Sequence, residues 1–319
     1  MRSQGRWSCM FRSKPAHIRR RQWKGTLFVL PGFLGVMFFY LIPFLDVMRR
    51  SFFQMSGNRF CGLDNYRAVL NNQAFRLAAR NTIRFVAVCL PLLLVISFVF
   101  AVILTGMWRH LRKSRWFAGD EERAAGWMGI WKGIYLVPYA IPAASIVALW
   151  EMVFAGKGFF NGVLHLFGLS GVDWMNTGYA FWVLVFSYVW KNLGYSIVLW
   201  MAGLMTIPQG IYEAAQIDGA GERTILFRIT LPMIRPVIFT IVILSFLNSF
   251  KVFREAYLVA GNYPQENIYL LQHLFNNWFM DLSVDKMAAG AGILVVVAGA
   301  LTMLLQRSWE KSYDSKFAG

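Results

Sequence analysis

The sequence predicts an all-α membrane protein whose core is a bundle of six transmembrane helices. Hydrophobic residues make up 57% of the 319 residues and the mean hydropathy is +0.46, which is more apolar surface than one soluble core needs. The apolar residues also fall into long runs that lack the period-2 alternation of barrel strands. These runs are therefore expected to be helices.

The apolar runs define six candidate spans, which cover residues 26–47, 85–107, 133–154, 179–205, 236 to about 257, and 287–305. Most of them reach the roughly 20 residues that a helix needs to cross the hydrocarbon core. The fifth is the weakest candidate, because Lys251, Arg254 and Glu255 follow its uncharged part. Its end is therefore expected to line water or protein rather than lipid.

Charge predicts the orientation of the membrane domain, residues 26–305. The tail of residues 1–25 carries eight Lys or Arg and no acid, which places it in the cytoplasm by the positive-inside rule. Six spans return the second tail, residues 306–319, to the same side. This topology gives the cytoplasmic segments 20 basic residues and the outer segments 11.

The weak point of that topology is the first outer segment, which carries seven arginines: Arg49, Arg50, Arg59, Arg67, Arg76, Arg80 and Arg84. The opposite orientation would place the basic N-terminal tail outside, so we retain the first one. The net charge of +16 is concentrated in the tail and beside the spans, which favours anionic lipid headgroups over nucleic acid as a partner.

A polar, glycine-bearing segment at residues 206–235 separates the fourth and fifth spans. Thr206 followed by Gln209 predicts a capping box, and residues 211–217 contain good helix formers, so a short helix is expected here. Gly219 and Gly221 supply the backbone freedom that ends this helix and turns the chain. We call residues 206–235 the coupling loop.

The coupling loop resembles the EAA loop in the membrane subunits of bacterial ATP-binding-cassette (ABC) importers. A lone Glu-Ala-Ala triplet is more often an ordinary interhelical turn, but here Asp-Gly-Ala follows it and Leu231-Pro232 stands at the expected distance. The resemblance implies a type I ABC importer permease bundle, with a cytoplasmic coupling helix that docks in a groove of an ATPase subunit. The residues that it assigns to this contact are Glu213, Ala214, Ala215, Asp218, Gly219 and Ala220.

The resemblance extends to the carbohydrate permeases of the maltose and glycerol-phosphate kind. It is carried by Pro31-Gly32, Gly62-Leu63-Asp64-Asn65-Tyr66, Asn81-Thr82, Pro138 with Pro142, and Ala202-Gly203-Leu204. One departure is Ala260-Gly261-Asn262-Tyr263-Pro264, where many relatives carry Gly-Gly-Pro. The implied partners are a second similar permease, two ATPase subunits that bind ATP and Mg²⁺, an extracytoplasmic solute-binding protein and a carbohydrate; this chain itself is expected to hold no cofactor.

Polar side chains within the fourth and fifth spans are candidates for a substrate pathway, because polar groups at membrane depth are costly. They are Lys191, Asn192, Tyr195, Asn248 and Lys251, which the resemblance places near the substrate contacts of maltose-type relatives. The two lysines lead to the hypothesis of an acidic saccharide. The alternative is that they form structural ion pairs with Glu151 and Glu255 respectively.

Enzyme classes find little support in the sequence. A G-x-x-x-x-G-K-[ST] loop, an H-E-x-x-H pair and a G-x-S-x-G elbow are all absent, so ATP hydrolysis is expected on a separate subunit and no metal site is expected. A secondary transporter or channel without an ATPase is the main alternative, and a membrane-embedded enzyme is a more distant one. The expected location is the bacterial cytoplasmic membrane.

Overall fold

The structure is a computed structural model that describes residues 27–54, 59–112, 121–252, 254, 256–257 and 264–317. The predicted basic tail of residues 1–25 lies outside the described residues. The α-helices, in chain order, are α1 (Leu27–Arg50), α2 (Asp64–Asn71), α3 (Gln73–Arg112), α4 (Glu121–Ala140), α5 (Ala143–Phe154), α6 (Phe159–Leu166), α7 (Ala180–Met205), α8 (Gln209–Ile217), α9 (Glu222–Met233), α10 (Arg235–Ser249), α11 (Leu271–Met280) and α12 (Val284–Phe317). Strands β1 (Phe53–Gln54) and β2 (Arg59–Phe60) form a small antiparallel hairpin.

The described part of the chain contains five stretches that are long and apolar enough to cross a membrane, and six if the bent pair α9 and α10 counts as one. The first, second, fourth and sixth predicted spans lie in α1, α3, α7 and α12. The fourth prediction agrees with α7 to within one residue. Helix α3 has 40 residues, about 60 Å at 1.5 Å per residue, so it extends well beyond a hydrocarbon core of about 30 Å.

The third predicted span, residues 133–154, is wrong as a continuous helix. Helix α4 ends at Ala140 and α5 begins at Ala143, while Pro142 between them has an extended backbone with φ −58° and ψ 146°. A proline has no N–H for the helical ladder and disfavours helical backbone in the residue before it. The break therefore lies where Pro142 makes continuation most costly.

The fifth predicted span is also shorter than expected. Helix α10 has 15 residues and ends at Ser249, where a 3₁₀ turn at Phe250–Val252 follows. The Ser249 hydroxyl donates to the carbonyl of Phe246 at 2.6 Å and so competes for a backbone acceptor. At the other end α9 and α10 meet at 70°, and only together are they long and apolar enough to count as one span.

Helix α7 is the centre of the bundle, and α3, α4 and α10 pack along it. Polar groups join these helices: Trp200 Nε1 donates to Ser97 Oγ at 2.9 Å, and the Tyr188 hydroxyl donates to the Ser245 carbonyl at 2.6 Å. Gly194 lets α4 approach so closely that a Cβ there would lie 1.7 Å from the Tyr135 carbonyl oxygen. The bundle thus depends on a backbone contact that only glycine permits.

A second layer joins α2, the beginning of α3, α11 and the beginning of α12. Its core contains Val69, Phe75, Leu274 and Trp278, and the Phe75 and Trp278 rings stack at 6.4 Å. Thr82 Oγ1 accepts the backbone N–H of Leu271 at 3.0 Å. The first turns of α3, which precede its apolar part, are therefore fixed by contacts with α11.

Candidate functional site

Helix α8 of the coupling loop begins differently from the predicted capping box. The residue before it is Pro208, and Thr206 instead donates its hydroxyl to the Gly203 carbonyl at 2.7 Å, which closes the end of α7. Gln209 Nε2 donates to Glu213 Oε1 at 2.7 Å, one turn along α8. The capping prediction is wrong because Pro208 already sets the extended backbone from which the helix starts, with φ −57° and ψ 136°.

The end of α8 is a Schellman turn centred on Gly219. Gly219 has φ +76°, a left-handed conformation that costs any residue with a Cβ about 1 kcal/mol or more. Its N–H donates to the Gln216 carbonyl at 3.0 Å, and the Ala220 N–H donates to the Ala215 carbonyl at 2.9 Å. The predicted role of Gly219 in ending this helix is confirmed. The same prediction for Gly221 is wrong, because its φ of −69° is one that any residue adopts.

Two side chains outside the predicted set fix α8 to the bundle. The Arg109 guanidinium, near the end of α3, lies 4.7 Å from the Tyr212 ring centroid and donates to the Leu204 carbonyl at 3.3 Å. The Tyr212 hydroxyl accepts from Thr230 Oγ1 at 3.3 Å. A displacement of α8 therefore acts directly on α3, on the end of α7 and on α9.

Four of the six predicted contact residues are exposed: Glu213, Ala214, Asp218 and Gly219. Of the other predicted contact residues, Ala215 is buried against the bundle and Ala220 is half-buried. Ile217 is 86% exposed, which is unusual for so large an apolar side chain at a helix end. The sequence analysis did not single out Ile217, because nothing in the sequence distinguishes it from Ile211 or Ile225 of the same segment.

A polar cavity of about 230 Å³ lies between α4, α7 and α10, and three of the predicted pathway residues line it: Lys191, Asn192 and Asn248. A fourth, Tyr195, stacks on Tyr139 of the cavity wall with ring centroids 4.8 Å apart. The fifth, Lys251, lies in the 3₁₀ turn next to the lining residue Val252. The Lys251 side chain is outside the described part of the structure.

Sequence reasoning missed three lining residues, Tyr139, Ser187 and Tyr188. Tyr188 also accepts through its carbonyl from Asn192 Nδ2 at 2.8 Å, which orients that amide. Tyr139 enters the wall from α4, two residues before the break that precedes α5. The paired prolines, Pro138 and Pro142, were the available signal that this part of the chain bends near a cavity.

The proposed partner of Lys191, Glu151, lines a different cavity of about 470 Å³, together with Asn161 and Asp173. Asp173 lies in the segment between α6 and α7, where backbone and side-chain N–H groups of Asn176 lower the pKa of its carboxyl. The other proposed partner, Glu255, falls outside the described residues.

Comparison with known proteins places this architecture in a family. The family of binding-protein-dependent transport system inner membrane components matches residues 125–314, which contain the polar cavity's α4, α7 and α10 together with the coupling loop. The chain belongs to this family. The family prediction made from the coupling loop is confirmed, and so is the predicted permease fold.

Individual relatives agree with this membership. The permease is 32% identical over 246 residues to the trehalose/maltose transport system permease protein MalF of Thermococcus litoralis, which covers 75% of this chain and 78% of that protein. It is 28% identical over 307 residues to the sn-glycerol-3-phosphate transport system permease protein UgpA of Salmonella typhimurium, covering 92% and 96%. Both are permease proteins of transport systems, and permeases of this family are not enzymes.

Among solved structures, the permease is similar to a chain of a bacterial ABC transporter involved in the import of the acidic polysaccharide alginate. The TM-score is 0.73, and the match covers 92% of this chain and 98% of that chain at 20% sequence identity. This likeness shows the fold. Membership in an inner membrane component family, together with the apolar helices, makes the chain a multi-pass membrane protein.

Proposed function

We propose that this chain forms one half of the translocation pathway of an ATP-driven importer for a carbohydrate. The observation that carries the proposal is that helix α7 joins two features. Its side chains line the polar cavity, and its C-terminal end leads directly into the exposed helix α8. The relatives' names, a trehalose/maltose and a glycerol-3-phosphate transport system, support the substrate class. The second half of the pathway is a similar permease, and two separate ATPase subunits bind ATP and Mg²⁺.

Helix α7 supplies the mechanical link between ATP hydrolysis and the cavity. Asn192 lines the cavity and Met205 ends the helix just before α8, a separation of about 20 Å at 1.5 Å per residue. When the ATPase subunits close, they displace α8, and the Arg109 and Tyr212 contacts transmit that movement to α3 and α7. The cycle shifts the population of inward- and outward-facing states only because the ATPase binds α8 differently in each.

The cavity lining suits a saccharide. Asn192, Asn248 and Ser187 offer amide and hydroxyl groups for sugar hydroxyls, and Tyr139 offers an aromatic face. In this proposal a solute-binding protein delivers the sugar from outside, and both tails of the chain lie in the cytoplasm. The structural neighbour's complex with an alginate pentasaccharide-bound periplasmic protein supports that route.

Within the carbohydrates, we propose an acidic oligosaccharide. Lys191 supplies a cationic group among the side chains that line the polar cavity. A cation in a low-dielectric pathway favours a passing anion, such as a uronate carboxylate or a sugar phosphate. The structural neighbour's transport of an acidic polysaccharide is consistent with this substrate class.

Reconstitution in proteoliposomes tests both proposals. Uptake of labelled oligosaccharides should require the solute-binding protein outside and ATP with Mg²⁺ at the ATPase side, and it should persist when ionophores collapse all ion gradients. Uptake driven by an ion gradient without ATP would instead establish a secondary transporter.

The acidic substrate is tested with the variant Lys191→Met, which should lower uptake of an acidic oligosaccharide and leave ATP hydrolysis intact. Efficient transport of only the matched neutral oligosaccharide would contradict the acidic substrate. The proposed permease function would still stand.

A further inference from the structure

Three arginines at the beginning of α3 form a surface that the proposed transport mechanism does not use. Arg76, Arg80 and Arg84 are spaced four residues apart, so they lie along one side of the helix over about 12 Å, and all three are exposed. Like charges at this spacing destabilise a helix. We call these three residues the arginine face.

Within the described residues, no carboxylate pairs with the arginine face. The ion pairs seen there instead join Asp46 to Arg49 and Arg50, and Asp64 to Arg67. Arg76 donates to the Leu70 carbonyl and Arg84 lies over the Phe181 ring, but both contacts leave the charge unneutralised. The face is a concentration of positive charge without an internal counter-charge.

The opposite side of the same turns is fixed. Phe75, Ala78 and Phe85 are buried, and Asn81 Nδ2 donates to the carbonyls of Tyr269 and Glu266. The arginine face therefore stands on a rigid support, with little further backbone ordering needed when a partner binds. A guanidinium fork on such a support is suited to bidentate contact with carboxylates.

Height above the membrane argues against lipid headgroups as the partner. The apolar run of α3 begins at Phe85, so Arg80 lies about 8 Å and Arg76 about 14 Å beyond it along the helix axis. The headgroup layer on each side is only about 5–7 Å thick. The arginine face thus projects mostly into water.

Shape argues against a free saccharide. Small ligands bind in concave sites, whereas the arginine face is the convex side of a helix and lines neither the polar cavity nor the cavity at Asp173. A convex, rigid, cationic surface fits the acidic surface of another protein. The family description names a protein partner, because these transport systems depend on a binding protein.

We propose that the arginine face docks an acidic surface of the solute-binding protein. This inference rests on the proposed function and its orientation. Arg80 is the most informative position, since no hydrogen bond or ion pair joins it to another described residue, and its replacement leaves the fold undisturbed. Long-range attraction by the face accelerates encounter, so its contribution is largest at low ionic strength.

The test uses the complete transporter in nanodiscs, with a solute-binding protein identified by its stimulation of ATP hydrolysis in the wild-type complex. Arg80→Glu, and the triple variant R76Q/R80Q/R84Q, should slow association of that protein about 10-fold or more at low salt. The difference should vanish near 1 M salt, where the Debye length is about 3 Å. The matched control D46N/R50Q neutralises both members of one ion pair, so the net charge of this segment stays the same, and it should leave association unchanged.

Each other outcome has a defined meaning. If the variants associate like the wild type, the arginine face is not the docking surface. The proposed function still stands in that case, because it is tested by the stimulation of ATP hydrolysis in the wild-type complex. If association is unchanged but the variants are less stable in phosphatidylglycerol nanodiscs, the arginine face binds lipid. If association is unchanged but uptake of acidic saccharide alone is lower, the face binds substrate. Either result overturns the proposal. Failure of every binding protein to stimulate the wild-type complex would overturn the proposed function itself, and this inference with it.

Discussion

His273 is a residue whose ionisation is coupled to folding. It is completely buried in α11, outside the membrane-spanning segments, and its Nδ1 accepts the backbone N–H of Leu270 at 3.2 Å. Burial lowers the pKa of His273 from its ordinary 6.5 to about 4, because the charged imidazolium loses its hydration there. The folded protein therefore keeps this ring neutral at pH values where the unfolded chain would protonate it.

We expect the stability of the folded protein to fall as pH decreases from about 6.5 to about 4, because the unfolded state binds an extra proton in that window. The contribution is full above pH 6.5 and amounts to roughly 3 kcal/mol across the window. His273→Asn keeps an acceptor for Leu270 and cannot titrate. Thermal unfolding in detergent at pH 7.5 and 4.5 should show a smaller decrease for this variant than for the wild type; parallel decreases would show that His273 is not the titrating group.

Among single residues, the sequence predicted those with local signals and missed those whose role depends on distant contacts. Gly219 was predicted because a turn after a short helix requires left-handed backbone, and φ +76° confirms it. Arg109 could not be assigned, since its contacts with Tyr212 and Leu204 join positions about one hundred residues apart in the chain. The pathway residues were predicted from polar side chains at membrane depth together with the family resemblance, whereas Tyr139 required the fold.

The contact between α4 and α7 controls both packing and the polar cavity. A Cβ on Gly194 would lie 1.7 Å from the Tyr135 carbonyl oxygen, a distance at which the backbone of α4 must move. Tyr139, one helical turn beyond Tyr135, lines the cavity, so such a movement also displaces the cavity wall.

Gly194→Ala should therefore destabilise the protein by about 1–3 kcal/mol or more and reduce transport. Gly133→Ala in α4 is the matched control, because its Cβ enters open space and alanine favours a helix by up to about 1 kcal/mol over glycine. Thermal unfolding and uptake of both variants provide the measurement. Equal stability of the two would show that α4 and α7 do not meet as closely as described.

Helix prediction succeeded where length and apolarity decide and failed where a backbone break decides. The fourth span was predicted to within one residue because it is a long run bounded by polar segments. The third and fifth spans were predicted as continuous because hydropathy does not register the effect of Pro142 or the competing hydroxyl of Ser249. Pro142 was a usable sequence signal for the break in the third span, whereas the break after Ser249 became evident only from the backbone.

For the whole molecule, the predicted topology places the coupling loop and the segment between α6 and α7 on opposite sides of the membrane. A cysteine at the exposed Gln216 should react with an impermeant reagent only from the cytoplasm, and one at the exposed Ser170 only from outside. Ser170 is preferable to Lys157, because Lys157 lies within the apolar stretch Ala143–Leu166 that is itself long enough to cross a membrane. Labelling of both sites from one side would refute the map, since α7 separates them.

The central claim is that α8 couples this permease to an ATPase, and ATP-driven uptake by turn variants tests it most directly. Gly219→Val places a β-branched residue at φ +76°, and Glu213→Lys reverses a charge on the exposed face of α8. Gly221→Ala is the control, because the φ of −69° at Gly221 suits any residue and the added Cβ enters open space. We predict that the first two variants remain in the membrane but lose uptake through uncoupling or detachment of the ATPase, while the control transports normally. Normal uptake by both Gly219→Val and Glu213→Lys, with an unaltered complex, would contradict the account.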